Sequence, residues 1–215
     1  MTSQPLLIAS EITVWRGETC VLDEVSLAVR DSDVVQVVGP NGSGKTTLLR
    51  TLAGLALPDE GEVRWRGKSI ERSRNDYQSE LLYLGHKPGI AGALTPRENL
   101  ATFLSLRHAE PNMEELDRAL NALGLAERLD LPCRWLSAGQ QRRVALARLL
   151  LEPAYLWILD EPLNALDVSG VEWMVETIQK QAERGGAVVF TTHQPMPFKT
   201  LEAKTLSLAD AAVMT

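Results

Sequence analysis

Residues 34–52 read VVQVVGPNGSGKTTLLRTL: an apolar strand run, a glycine-rich turn, then a helical pattern. Gly39 to Thr46 fits G-x-x-x-x-G-K-[ST] and sits where that spacing is meaningful, after a strand and at the head of a helix. Glycine permits main-chain angles and close approaches that a Cβ would block, so successive amides can wrap around phosphate oxygens. The loop residues Gly39, Pro40, Asn41, Gly42, Ser43 and Gly44 would form that cradle. Lys45 would neutralise the β and γ phosphates, Thr46 would place its hydroxyl on Mg²⁺, and Thr47 would donate to the α phosphate.

A second strand run, AYLWILD at 154–160, ends in Asp160 and is followed at once by Glu161. Five apolar residues before the acids indicate a strand buried on both faces of a parallel sheet. In a phosphate-loop fold, an acid at the end of the strand neighbouring the loop strand holds the Mg²⁺ shell. Glu161, one residue further out, can then polarise an attacking water as general base. AVVFTTH at 187–193 is a third buried run, and His193 at its end can hydrogen-bond a γ phosphate and stabilise transition-state charge.

Between these runs the period changes. LLIASEITVW, CVLDEVSLAV and GEVRWRG carry short-strand signals, with turns at Gly17 and at 31–33, and ELLYLG is another apolar run. From LTPRENLATFLSL to ARLLLEP the spacing is helical, broken at 108–112 and again near GLAERLDLPCRW. Thr95 with Pro96 and Glu98 makes a capping box and a helix start. A further helix is expected over VSGVEWMVETIQKQAERGG, residues 168–186. The expected fold is α/β, a RecA-like phosphate-loop core in one domain of 215 residues, with an antiparallel sheet on its N-terminal side and an inserted helical subdomain at roughly 90–150.

Bulk properties exclude some functions. With 22 Lys and Arg against 28 Asp and Glu the net charge is −6, which argues against a nucleic-acid partner. No run approaches the roughly 18 apolar residues of a membrane span, and MTSQPLLIASE lacks the basic and apolar regions of a signal peptide. The chain is therefore expected in the cytosol. Cys20 and Cys133 are too few for a disulfide framework and are expected as buried thiols. His108, at an apparent helix end, is expected to face water.

LSAGQ at 136–140 admits two readings. Ser137 and Gln140 form a second capping box. The free amides and the hydroxyl at that helix start also suit a phosphate. The segments Gly39–Thr47, LSAGQ, LWILDEP, NALD and TTH occur together here in the order and spacing of the ATP-binding subunits of ABC transporters, and the chain resembles that family over its whole length.

The resemblance implies an ATPase using ATP and Mg²⁺, and a head-to-tail homodimer in which each ATP is sandwiched between two copies. Ser137, Gly139 and Gln140 would then contact the γ phosphate held by the other chain's loop, and Asp167 would lie at the same interface. It also implies a groove for the cytoplasmic helices of an integral membrane permease. The strand leading to that groove normally ends in glutamine; here the position is His86. His86 could approach Mg²⁺ through water, report on the membrane partner, or make a structural polar contact. For the adenine platform the resemblance suggests Trp15, with Arg16 as the alternative.

The string YLGH.PGI...LT..ENL, with LSAGQQRRVALARL and TTHQP, narrows the resemblance to the ATP-binding subunits of cytochrome c biogenesis haem exporters. That implies a peripheral ATPase at the cytoplasmic face of the bacterial inner membrane, powering haem delivery or release of a haem-loaded periplasmic chaperone; the alternatives are the ATPase subunit of another exporter, of lipid, metal or drug, and a soluble ATP-dependent switch.

Overall fold

The computed structural model describes residues 4–107, 110–198 and 201–208; His108 lies outside them. Two sheets organise the described residues. The first is antiparallel, of order β2-β1-β4-β5, from β1 (Leu7–Arg16), β2 (Thr19–Val29), β4 (Glu60–Trp65) and β5 (Lys68–Ser69). The second runs β6-β7-β8-β3-β9, from β3 (Val34–Val38), β6 (Leu81–Leu84), β7 (Leu156–Asp160), β8 (Ala187–Thr191) and β9 (Lys204–Ser207), every pair parallel.

Every residue of β7 and β8 is buried, as their unbroken apolar runs require of strands covered on both faces. Side chains alternate between two cores because successive Cβ atoms leave a strand on opposite faces. Trp157, Leu159, Val188 and Phe190 pack with Leu100, Leu116, Leu120 and Leu146 on the helical side. Leu156, Ile158 and Val189 pack on the other side with Leu48 and Leu52, and with Leu7, Ile12 and Val63 of the antiparallel sheet.

Helix α1 (Lys45–Leu52) follows the loop after β3. α2 (Arg74–Glu80) precedes β6 and was not indicated by the residue pattern. Its one buried side chain, Tyr77, donates its hydroxyl to Leu52 O at 2.6 Å and packs 5.7 Å from the Trp65 ring. The helical stretch holds α3 (Pro96–Leu106), α4 (Met113–Ala122), α5 (Ala138–Leu146) and α6 (Arg148–Leu151). Arg97 ties α3 to α4 through both carboxylate oxygens of Asp117. α7 (Val168–Glu183) ends short of the expected 186, where Gly185 takes φ +91°.

Three further outcomes bear on the expectations. The capping box at Thr95 forms, with its hydroxyl accepting from Glu98 N–H at 3.2 Å and Glu98 accepting from Thr95 N–H at 2.8 Å. Cys133 is buried, and burial pushes its thiol pKa up; Cys20 is only half-buried, so the expectation for it is corrected. The strand ending in Asp160 is not the neighbour of β3, because β8 lies between them. Asp160 must therefore reach the phosphate loop across one intervening strand.

Candidate functional site

The loop after β3, the ends of β7 and β8, and the start of the loop after β6 converge on one groove of about 510 Å³. A larger open depression, about 1010 Å³, lies between β4 and α2 and shares no residue with it. The groove holds the acids, imidazoles and phosphate loop together, so it is where chemistry can occur.

Gly44 caps α1 with φ +90°, and a Cβ there would fall 2.7 Å from Val21 O. That position admits glycine on both counts, angle and space. Lys45 Nζ donates to Gly39 O at 2.7 Å and Pro40 O at 2.9 Å, which folds the ammonium back over the loop.

Asp160 spans the intervening strand. The Thr46 hydroxyl donates to Asp160 Oδ2 and the Thr191 hydroxyl to Oδ1, both at 2.9 Å. Thr191 ends β8, and its Oγ1 also accepts from Glu161 N–H at 3.0 Å. One threonine thus bridges the metal-type acid and the acid beside it. Thr191 was not singled out from sequence, although a hydroxyl at the end of an otherwise apolar buried strand is a readable signal.

Glu161 is 7% exposed and takes φ +50°, a backbone conformation that costs a non-glycine residue of order 1–3 kcal/mol and persists only when its surroundings hold it. Its N–H is held by Thr191 and its carbonyl accepts from Arg142 Nη2 at 2.7 Å. Its side-chain Oε1 is buried without a hydrogen-bond partner among the described residues. His193 Nε2 stands 3.3 Å from that oxygen, a charge pair only when the imidazole is protonated.

Arg142 was also missed. It is 2% exposed and directs Nε to Pro162 O at 3.4 Å, Nη1 to Gly85 O at 2.9 Å and His86 O at 3.4 Å, and Nη2 to Asp160 O at 3.0 Å and Glu161 O. Burial pulls the guanidinium pKa down, opposed by the charges of Asp160 and Glu161. The signal was legible: Arg142 lies three residues before Ala145 and four before Leu146, on the buried stripe of its helix.

The remaining expected residues divide. His86 lines the groove with an exposed side chain, and Asn41, Gly42 and Thr47 line it too. Ser43 is buried, its Oγ unpartnered. Arg16 also lines the groove, its Nη2 donating to Thr47 Oγ1 at 2.9 Å. Trp15 does not: its side chain is 50% exposed, and its backbone N–H is engaged by Asp59 at 2.6 Å.

Ser137, Gly139, Gln140 and Asp167 also fall outside this groove. The capping box at the head of α5 is formed, with Ser137 Oγ accepting from Gln140 N–H at 3.2 Å and Gln140 Oε1 from Ser137 N–H at 2.9 Å. A Cβ on Gly139 would lie 2.6 Å from Ala165 O, so this turn packs directly on the loop after Glu161. Asp167 caps α7, and the Gly170 N–H, then Arg143 and Ser169, hold its carboxyl below the usual carboxylate range.

The family model described as ABC transporter matches residues 22–164, from β2 through the loop after Glu161. The chain belongs to the ABC transporter family. As an ABC ATPase it binds and hydrolyses ATP. It is 46% identical over 205 residues to the cytochrome c biogenesis ATP-binding export protein CcmA of Yersinia pestis, covering 95% of this chain and 94% of that one. It is 44% identical over 203 residues to the protein of the same description from Escherichia coli K12, covering 94% and 96%. Among solved structures, an ABC transporter ATP-binding protein from Pyrococcus furiosus superposes with TM-score 0.79 at 25% identity, covering 94% and 96%. An ATP-binding cassette solved as a dimer with ADP and Pi superposes with TM-score 0.83 at 24% identity, covering 97% of each chain, and shares the ABC fold.

Proposed function

We propose that this chain is the ATP-hydrolysing subunit of a membrane export complex serving cytochrome c biogenesis, acting as a single domain whose helical subdomain spans about 90–150. The observation that carries the catalytic part is the Asp160 bridge. One carboxylate ties the loop threonine to the β8 threonine, next to Glu161, which lines the groove with its buried Oε1 making no hydrogen bond among the described residues and His193 Nε2 3.3 Å from it.

The residues fit Mg²⁺. Thr46 Oγ1 and Asp160 Oδ2 are hard oxygen donors already in contact. Among the described residues no group of three or more His, Cys, Asp and Glu gathers to hold a metal unaided, as suits a cation that shares its shell with phosphates and water. Bound there, Mg²⁺ would neutralise charge on the β and γ phosphates.

The protein's own groups supply the rest. Lys45 and the loop amides orient the phosphates. Glu161 takes the proton of the attacking water, and His193, beside it, hydrogen-bonds the γ phosphate. Arg16 and Thr47 serve the nucleoside end, Arg16 offering its planar guanidinium to the base or its charge to the α phosphate. His86, exposed in the groove, is placed to touch the water shell of the metal or to register the membrane partner.

Because Ser137, Gly139, Gln140 and Asp167 lie away from this groove, they suit completion of a second copy's site in a two-fold dimer. Ser137→Arg should abolish ATP-dependent dimerisation, read by size-exclusion chromatography, while the monomer loses only about 1 kcal/mol of cap stability. Dimerisation at the parent level would leave the turn a helix cap alone.

The pathway is supported by the CcmA relatives. Among the described residues no helix is long and apolar enough to cross a membrane, so attachment to the cytoplasmic face of the inner membrane would run through a permease subunit. Haem delivery, or release of a haem-loaded periplasmic chaperone, is the work assigned to hydrolysis. Affinity capture of the tagged chain from detergent-solubilised membranes tests this. Small integral subunits and a haem-absorbing periplasmic protein should co-purify; an unrelated permease without haem absorbance would replace the cargo and keep the ATPase.

A further inference from the structure

Among the described residues the five hydrogen bonds of Arg142 all go to main-chain carbonyls, and they belong to two separate strand ends. Gly85 and His86 follow β6; Asp160, Glu161 and Pro162 close β7 and begin the next loop. The donor sits on α5, five residues after the Ser137 cap. A planar guanidinium can serve several carbonyls in fixed directions at once, whereas a lysine ammonium on a flexible stem cannot span both strand ends.

The carbonyl receiving the shortest of these bonds, at 2.7 Å, is that of Glu161. That residue takes φ +50°, so its side-chain direction depends on contacts that pin its backbone. Thr191 pins the N–H from β8 and Arg142 pins the carbonyl from α5. Release of either would let the peptide relax toward an ordinary angle and carry the carboxylate away from the groove.

We propose that Arg142 is a positioning residue for hydrolysis: its guanidinium fixes the backbone of Glu161 and the start of the His86 loop relative to α5, and so aims the carboxylate. The proposal rests on Glu161 acting as the base. It also makes α5 a mechanical link within one chain. The helix whose first turn is proposed to complete a second copy's site grips the backbone of Glu161 through Arg142, five residues after its cap.

The test uses the full chain with Arg142→Lys and Arg142→Gln, each also combined with Glu161→Gln, with folding followed by circular dichroism and melting. Arg142→Gln should lower kcat roughly 10- to 100-fold, as misplacement of a reacting group does. KM for ATP should stay within about threefold, because the phosphate contacts are elsewhere. Arg142→Lys should be defective to a smaller degree. In the Glu161→Gln background, Arg142→Gln should lower turnover by no more than about twofold further, since a residue that only aims the base has nothing left to aim.

Parent kcat in a folded Arg142→Gln variant overturns the proposal, as does a loss confined to KM or a full multiplicative loss on Glu161→Gln. Failure of both single variants to fold also overturns it, making Arg142 a determinant of the fold. High turnover in Glu161→Gln alone would instead remove the base assignment, a distinct result.

Discussion

Glu161→Gln should bind ATP within about threefold of the parent and hydrolyse it roughly 10²- to 10⁴-fold more slowly. Gln keeps the shape and volume of the side chain, so the backbone contacts from Thr191 and Arg142 that hold φ at +50° are undisturbed. What disappears is the ability to take a proton. The parent Oε1 is buried and makes no hydrogen bond among the described residues, with His193 Nε2 3.3 Å away. With binding intact and turnover stopped, the ATP-bound dimer should accumulate. Phosphate release at saturating ATP, together with size-exclusion chromatography, reads both effects in one preparation. Parent-level turnover would take Glu161 out of the base role and leave His193, 3.3 Å from its Oε1, as the next candidate.

What the residue pattern discloses, and what it hides, follows from the kind of information each feature needs. The phosphate loop, the buried strands β7 and β8 and both capping boxes are local: a glycine spacing, an apolar run and a Ser or Thr three residues before Glu or Gln suffice. α2 has one buried side chain, Tyr77, so no periodicity marks it. β9, reading Lys-Thr-Leu-Ser, has no buried residue and exists because β3 offers it a parallel edge. Strand order is non-local as well. The placement of β8 between β3 and β7 is set by how the crossovers pack, and it turns Thr191 from a strand terminus into the bridge between the two acids.

That Arg16 lines the groove and its neighbour Trp15 does not has a local cause. Side chains on a strand alternate faces, so a single irregularity reverses which of two adjacent residues meets a given surface. β1 shifts its register against β2 between Ile12 and Val14 and again between Val14 and Trp15. Counting alternate residues from the buried start of β1 therefore cannot tell which of the pair faces the groove.

Lys45→Ala should weaken ATP binding roughly 100-fold, or about 3 kcal/mol, the scale of losing two hydrogen bonds between a cation and an anionic oxygen. The fold should survive the change. Lys45 is only partly buried, and its Nζ rests on Gly39 O and Pro40 O of the loop. The loop's shape comes from its glycines and from the cap at Gly44, neither of which depends on the ammonium. Melting temperature without nucleotide should therefore stay near the parent value, while the stabilisation conferred by added ATP shrinks in step with the lost affinity. Measuring both in one thermal series separates the lysine's phosphate role from any structural one. A variant that keeps the full ATP-induced shift would place the phosphate charge on another cation, and Arg16, already donating to Thr47 at 2.9 Å, is the one the groove supplies.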